Sequence, residues 1–140
     1  DGLICPDLPF EEKAEAANVA KKYGVSVISL IAPTSEERIK TIAADAEGFI
    51  YIVSSMGVTG VRSEIKTDLA SIMKTVKQFE HVPAAIGFGI STPEQAKEMS
   101  GLADGVIVGS AIVKLVAQYG EDAAPHIYDY VKSMTDAVHG

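Results

Sequence analysis

Two glycine-containing segments near the end of the chain have the residue types of a phosphate-binding turn. Gly87-Phe88-Gly89-Ile90-Ser91 and Val108-Gly109-Ser110-Ala111 each end a short apolar run and precede a helical pattern. Glycine lets a ligand approach the backbone closely, and the N–H groups that open a helix have no acceptor within that helix. A glycine at a strand end is by itself more often a plain turn residue. Two such turns in succession predict an anion site, and phosphate is the anion that suits them.

A third glycine-containing segment is longer and more polar. Residues 54–66, SSMGVTGVRSEIK, carry Gly57 and Gly60 between an apolar run and the next helical pattern. The flanking apolar runs start at Phe49 and Ala84, an interval of 35 residues. The intervals between the starts of the other successive apolar runs are 21 to 24 residues. We interpret the extra length as a loop that serves a site.

The other reactive side chains form no catalytic or metal-binding pattern. His81, His126 and His139 lie far apart, with no metal-ligand spacing and no evident nucleophile partner. Cys5 is the single cysteine and follows two apolar residues, which is typical of a buried, unreactive thiol. We therefore expect no metal site and no catalytic residue in this group.

The elements that must position the glycine turns are strands that alternate with helices. Short apolar runs, mostly of β-branched residues, predict buried strands at residues 2–5, 25–31, 49–53, 84–87 and 105–108. Each run precedes a turn and an amphipathic helical pattern, an order that indicates a parallel sheet. Ser35 is the expected N-cap of the second helix, and Thr92, Pro93 and Gln95 form a capping-box sequence for the fourth. The fifth helix is expected to run from Ser110 to Tyr119.

Two parallel architectures fit this order. The 140 residues suffice for an open doubly wound sheet, whereas a closed (β/α)8 barrel needs about 250. The adjacent glycine turns favour the barrel, because its phosphate sites follow strands seven and eight. Asp1-Gly2 begins directly at an apolar run, which is what a cut through a longer chain would give.

Composition excludes several classes of function. The formal net charge is -7 with mixed signs along the chain, so the basic stripe of a nucleic-acid-binding protein is absent. No apolar run reaches the roughly 20 residues that cross a bilayer. We expect a cytoplasmic globular protein that binds neither nucleic acid nor membrane.

Three motifs together resemble the tryptophan synthase alpha chain family. They are Gly57-Val58-Thr59-Gly60, the Gly87 to Ser91 segment followed by Pro93-Glu94-Gln95, and Asp104-Gly105-Val106-Ile107-Val108-Gly109-Ser110-Ala111. The resemblance covers essentially the whole chain in the family's order and spacing. It implies an α/β fold, the parallel (β/α)8 TIM barrel. Residues 1–140 would be a single domain that supplies the second half, from strand four to helix eight, as five βα units and a terminal helix.

The resemblance also implies a reaction. The family is a lyase of tryptophan biosynthesis that cleaves indole-3-glycerol phosphate to indole and glyceraldehyde 3-phosphate by a retro-aldol step. Its catalytic Glu and Asp belong to strand two and the following loop, which match nothing in this sequence. We therefore assign no catalytic acid or base here, and we expect little or no lyase activity from the 140 residues alone.

Substrate-binding residues are carried over where the motifs match. The resemblance implies that Gly60, Gly89, Gly109 and Ser110 hold the phosphate group and that Phe88 flanks it. It further implies that Tyr51 reaches the substrate, that Thr59 positions the family's catalytic Asp, and that Ile4 forms an apolar wall of the indole pocket. On residue type alone, Tyr51 and Phe88 fit equally well as packing residues.

Partners and cofactors follow from the same resemblance. It implies an alpha2-beta2 heterotetramer with a tryptophan synthase beta chain, with pyridoxal phosphate in the beta chain and no cofactor in this one. Two alternatives remain open. One is another phosphosugar-binding barrel of aromatic amino-acid or histidine biosynthesis, and the other is a non-catalytic half-barrel whose exposed strand edges favour dimerisation.

Overall fold

The computed structural model describes residues 1–54, 62–79, 81–87 and 89–140, and for residues 62–68 it describes the backbone. The strands are β1 Gly2–Leu3, β2 Ser26–Val27, β3 Ser29–Ile31, β4 Ile50–Val53, β5 Ala84–Gly87 and β6 Gly105–Val106. The α-helices are α1 Lys13–Ala20, α2 Glu36–Ala44, α3 Arg62–Val76, α4 Pro93–Ser100, α5 Ser110–Tyr119 and α6 Ala123–His139. Short 3-10 turns lie at Phe10–Glu12, Lys21–Tyr23 and Gly120–Asp122.

All strand pairs in the described residues are parallel, as the alternating pattern predicts. β1 pairs with β2, and β3, β4, β5 and β6 pair in that order. The predicted strand at residues 25–31 is interrupted at Ile28, whose N–H donates to Leu3 O at 2.9 Å. One extended stretch thus serves two neighbours: its first part pairs with β1 and its second part with β4. The predicted strands at residues 2–5 and 105–108 are shorter than expected, ending at Leu3 and Val106.

The sheet buries one face, which corrects the expectation that these apolar runs are buried throughout. In β4, Ile50 and Ile52 are fully buried, whereas Tyr51 and Val53 are partly exposed. Successive side chains of a strand point to opposite faces, so the buried set packs on the helices. The other face carries a row of residues in register, namely Leu30, Tyr51, Ala85 and Gly105.

Helix starts follow the predicted capping residues. Ser35 Oγ accepts the N–H of Arg38 at 3.3 Å, which confirms it as the N-cap of α2. At α4 the capping box is complete, because Thr92 Oγ1 accepts the N–H of Gln95 and Gln95 Oε1 accepts the N–H of Thr92. Each cap satisfies N–H groups that the helix itself cannot pair. α5 begins at Ser110 and ends at Tyr119, as predicted.

A buried lysine ties the first helix to the sheet and to the next helix. Lys13 is 7% exposed, and its Nζ donates to Ser29 Oγ, to Asp45 O and to Asp45 Oδ2 at 2.9–3.0 Å. A buried ammonium group is tolerated only when its protons are satisfied, and here three acceptors do so. The side chain therefore fixes α1 against β3 and against the end of α2.

No helix in the described part of the chain is both long enough and apolar enough to cross a membrane.

Replacing Lys13 by Met is expected to lower the free energy of unfolding by about 1–3 kcal/mol, because the methionine retains the apolar stem but leaves buried Ser29 Oγ without its donor. Urea denaturation measures the change. Lys22→Met is the matched control, since Lys22 is exposed. Equal stability of the two variants would show that the buried ammonium group adds nothing to the fold.

Candidate phosphate-binding site

A cavity of about 300 Å³ lies where β5 and β6 end, beside β4. It brings together four residues that the sequence predicts for the site, from three different βα units. Its lining residues are Tyr51, Gly89, Ile90, Ser91, Ile107, Gly109, Ser110, Ala111 and Lys114.

Helix α5 opens onto this cavity without a side-chain cap. Its N-cap residue is Gly109, whose carbonyl accepts the first helical bond, from Val113 N at 3.1 Å. Helix geometry leaves the N–H groups of Ser110 and Ala111 without an acceptor in the helix. The positive end of the helix dipole adds to their attraction for an anion. The start of α5 thus has the donors and the field that a phosphate group needs.

The turn before α4 contributes differently. Gly89 has φ +81°, a left-handed conformation that glycine adopts without strain. The N–H groups of Ser91 and Thr92 both donate to Gln95 Oε1, at 2.9 and 3.2 Å. Because the Gln95 side chain already accepts those two N–H groups, Gly89 and Ile90 are the candidate donors on this side of the cavity.

The ring of Tyr51 lies directly over the end of β5. A Cβ atom built on Gly87 would meet Tyr51 Cζ at 2.6 Å and Cε1 at 2.7 Å, so any larger residue would displace the ring. Phe49, two residues earlier on the same face of the strand, lies 6.5 Å away between ring centroids. A tyrosine hydroxyl is protonated at neutral pH, and partial burial raises the pKa of Tyr51 further.

Ser54 holds the end of β5 from the neighbouring strand, and sequence reasoning missed it. It is 2% exposed, and both its Oγ and its N–H donate to Gly87 O, at 2.8 and 3.0 Å. Gly87 is the last residue of β5 before the Gly89 turn. A serine after an apolar run has no distinguishing pattern, so its role depends on the register between β4 and β5.

The charge of the cavity favours an anion. Lys114, one helical turn into α5, is the only charged residue among the described residues that line it. No carboxylate belongs to that lining, so a bound phosphate would meet backbone dipoles, hydroxyl groups and one cation.

The other site residues predicted from the sequence either do not line this cavity or are not among the residues that the structure describes. Thr59, Gly60 and Phe88 fall outside the described residues. Ile4 is 45% exposed just after β1, and it does not line this cavity. Cys5 is half-buried rather than buried, and it lines a separate cavity of about 510 Å³ near the ends of β1 and β3.

Comparisons with known proteins agree with one another. Residues 1–139 match the family model described as "Tryptophan synthase alpha chain". The tryptophan synthase alpha chain of Lacticaseibacillus casei is 53% identical over 137 residues, which are 98% of this chain and 52% of that protein. The chain therefore spans about half the length of the curated relatives that it matches.

Solved structures give the same result. Tryptophan synthase subunit alpha from Campylobacter jejuni superposes with a TM-score of 0.78 at 35% identity, over 97% of this chain and 52% of that one. A chain from a structure of the tryptophan synthase a2b2 complex of Pyrococcus furiosus superposes with a TM-score of 0.78 at 30% identity, over 97% of this chain and 54% of that one. These neighbours are TIM barrels, and the parallel β/α units described above correspond to about half of such a barrel.

Replacing Gly87 by Ala is expected to lower the free energy of unfolding by about 1–3 kcal/mol and to shift the ring signals of Tyr51, because the added methyl group overlaps the ring. Urea denaturation and tyrosine NMR measure the two effects. Gly101→Ala is the matched control: its φ is -70°, and the nearest atom to a built Cβ is Glu98 O at 3.5 Å. Unchanged Tyr51 signals in Gly87→Ala would contradict the packing of Tyr51 on Gly87.

Proposed function

The chain belongs to the tryptophan synthase alpha chain family, and from that premise we propose that it supplies the phosphate-binding part of an indole-3-glycerol phosphate lyase. We propose that residues 1–140 form a single domain equivalent to strand four through helix eight of the barrel. The reaction is cleavage of indole-3-glycerol phosphate to indole and glyceraldehyde 3-phosphate in tryptophan biosynthesis.

The observation that carries the proposal is the uncapped start of α5. Of the helix starts discussed above, those of α2 and α4 are capped by their own side chains, whereas α5 opens toward the cavity lined by Gly89, Lys114 and Tyr51. A phosphate group placed there would accept the N–H groups of Ser110 and Ala111, and the Ser110 hydroxyl would add a donor. Lys114 would offset part of the phosphate charge.

The role of these residues in the reaction is to bind and orient the substrate. In the retro-aldol step a base removes the proton of the hydroxyl group on the glycerol carbon that is attached to the indole ring. The bond between this carbon and the ring then breaks, and an acid protonates the ring carbon. The residues that match the family here serve neither proton transfer. A phosphate fixed at α5 would hold the glycerol chain in one orientation toward the groups that transfer the protons. This lowers the entropic part of the activation free energy of the cleavage.

Further residues take their proposed roles from the family. Tyr51 lies on the sheet face opposite the one that packs on the helices, and it lines the cavity. There it would contact the glycerol part of the substrate. Ile4 would form an apolar wall for the indole ring. Gly60 and Phe88 would complete the phosphate site, and Thr59 would position the catalytic Asp.

The proposal extends to assembly. The solved Pyrococcus furiosus relative is a tryptophan synthase a2b2 complex. We propose that this chain functions with a beta chain that holds pyridoxal phosphate, needs no cofactor of its own, and acts in the cytoplasm.

A chimera tests the activity. The 140 residues are joined to the first half of the Lacticaseibacillus casei alpha chain, and release of indole from indole-3-glycerol phosphate is measured. We expect turnover by the chimera and little or none by the 140 residues alone. A chimera that is folded by circular dichroism but releases no indole would contradict the proposal. Preference of the 140 residues for an isomerase substrate analogue over indolepropanol phosphate would favour another phosphosugar barrel.

Gly109→Ala separates the binding role from the fold. A Cβ built on Gly109 has no atom within 4 Å, so stability is expected to change by less than about 1 kcal/mol. Because Gly109 lines the cavity, the added methyl group is expected to hinder the approach of phosphate to the start of α5 and to lower the affinity for inorganic phosphate at least about tenfold. Isothermal titration calorimetry measures the affinity, with Gly101→Ala as the control. Undiminished phosphate binding in Gly109→Ala would place the anion elsewhere.

A further inference from the structure

We propose that Tyr130, on helix α6, is a positioning residue for the phosphate turn after β5. Its hydroxyl holds the carbonyl of Ser91 and so fixes the backbone that lines the cavity. The inference rests on the proposed function and deepens it, because it names a residue outside the cavity that sets the geometry of the binding groups.

The contact is direct and joins distant parts of the chain. Tyr130 Oη donates to Ser91 O at 2.9 Å, across 39 residues of sequence. Ser91 lines the phosphate cavity, whereas Tyr130 does not. Tyr130 therefore acts on the cavity through the backbone of the turn and does not itself meet the ligand.

The peptide unit between Ser91 and Thr92 is held from both edges. Its carbonyl accepts the Tyr130 hydroxyl, and its N–H donates to Gln95 Oε1 at 3.2 Å. Side chains from α6 and α4 therefore oppose each other across one peptide plane. Because a peptide unit is planar, holding both of its edges fixes the orientation of the whole unit.

Ser54 anchors the other end of the turn, because its Oγ and its N–H both donate to the carbonyl of Gly87, the last residue before the turn. Gly89 and Ile90 lie between the two anchors, and Gly89 has φ +81°. Glycine has the widest conformational freedom of any residue, so a turn that contains it depends on its flanking anchors. Loss of the Tyr130 anchor is expected to loosen Gly89 and Ile90, the candidate donors on this side of the cavity.

The hydroxyl and the ring of Tyr130 have separable roles. The ring is partly buried against the hydrophobic core, and Tyr130→Phe retains that packing. A tyrosine hydroxyl is protonated at neutral pH, and partial burial raises the pKa of Tyr130 further. Removing only the oxygen thus tests positioning with little effect on the attachment of the helix.

The experiment compares Tyr130→Phe with Tyr128→Phe in the 140-residue chain. Tyr128 lies on the same helix and is 67% exposed, so it controls for the loss of a tyrosine hydroxyl. Calorimetry measures the affinities for inorganic phosphate, for indolepropanol phosphate and for indolepropanol, which lacks the phosphate group. For Tyr130→Phe we expect about three- to tenfold weaker binding of both phosphate probes, because a turn without this anchor must be ordered when phosphate binds, at a cost of up to the energy of one hydrogen bond; binding of indolepropanol is expected to be unchanged. Tyr128→Phe is expected to behave as the unaltered chain.

Amide hydrogen exchange is the second measurement. In Tyr130→Phe, faster exchange at Ser91 and Thr92, whose N–H groups donate to Gln95 Oε1, with the amides of α6 still protected, would support the positioning role. Loss of protection in α6 as well, or an equal loss of affinity for all three probes, would assign the hydroxyl to the stability of the fold and overturn the inference.

The two proposals fail in different ways. Phosphate affinity that is the same in Tyr130→Phe and the unaltered chain would overturn the inference and leave the proposed function standing. An unaltered chain that binds neither phosphate probe would overturn both.

Discussion

The site depends first on the parallel pairing of β4, β5 and β6. Tyr51 pairs with Ala85, and Ala85 pairs with Gly105. Because both pairs of strands are parallel, all three strands end at the same edge of the sheet. Parallel strands place the turns that follow them at one edge, which is how the Gly89 and Gly109 turns come to share a cavity. An antiparallel neighbour would have sent one of these turns to the opposite edge.

One-sided burial determines what can reach that cavity. The isoleucines of β3, β4 and β5 pack on the helices, while Tyr51 occupies the other face. Gly87 makes room for the Tyr51 ring, and Ser54 binds the carbonyl of the same glycine. A single position in β5 thus sets both the place of an aromatic side chain and the start of the phosphate turn. In a barrel this face is the interior, and the chain corresponds to about half of the barrels that it matches.

The starts of α4 and α5, which both lie at the cavity, differ in whether their N–H groups are available to a ligand. Before α4, the Gln95 side chain accepts the N–H groups of Ser91 and Thr92, which makes those two donors unavailable to a ligand. The N-cap residue of α5 is Gly109, which has no side chain to cap the helix, so the first N–H groups of α5 are available to a ligand. The proposed anion site would accordingly be formed by backbone groups, and the side chains of Ser54, Gln95 and Tyr130 bind the backbone of the adjoining turn.

The sequence by itself determined the features that depend on neighbours along the chain. Alternating strands and helices, the N-cap at Ser35, the capping box at Thr92 and the bounds of α5 follow from periodicity and from local hydrogen bonding, which act within a few residues. The family motifs selected Tyr51, Gly89, Gly109 and Ser110, which the fold brings to one cavity. Only the tertiary structure decided the break at Ile28, the burial of Lys13, and the anchoring by Ser54 and Tyr130. Each of these depends on a partner on another strand or helix, as many as 39 residues away for Tyr130, and no local pattern marks such a partner.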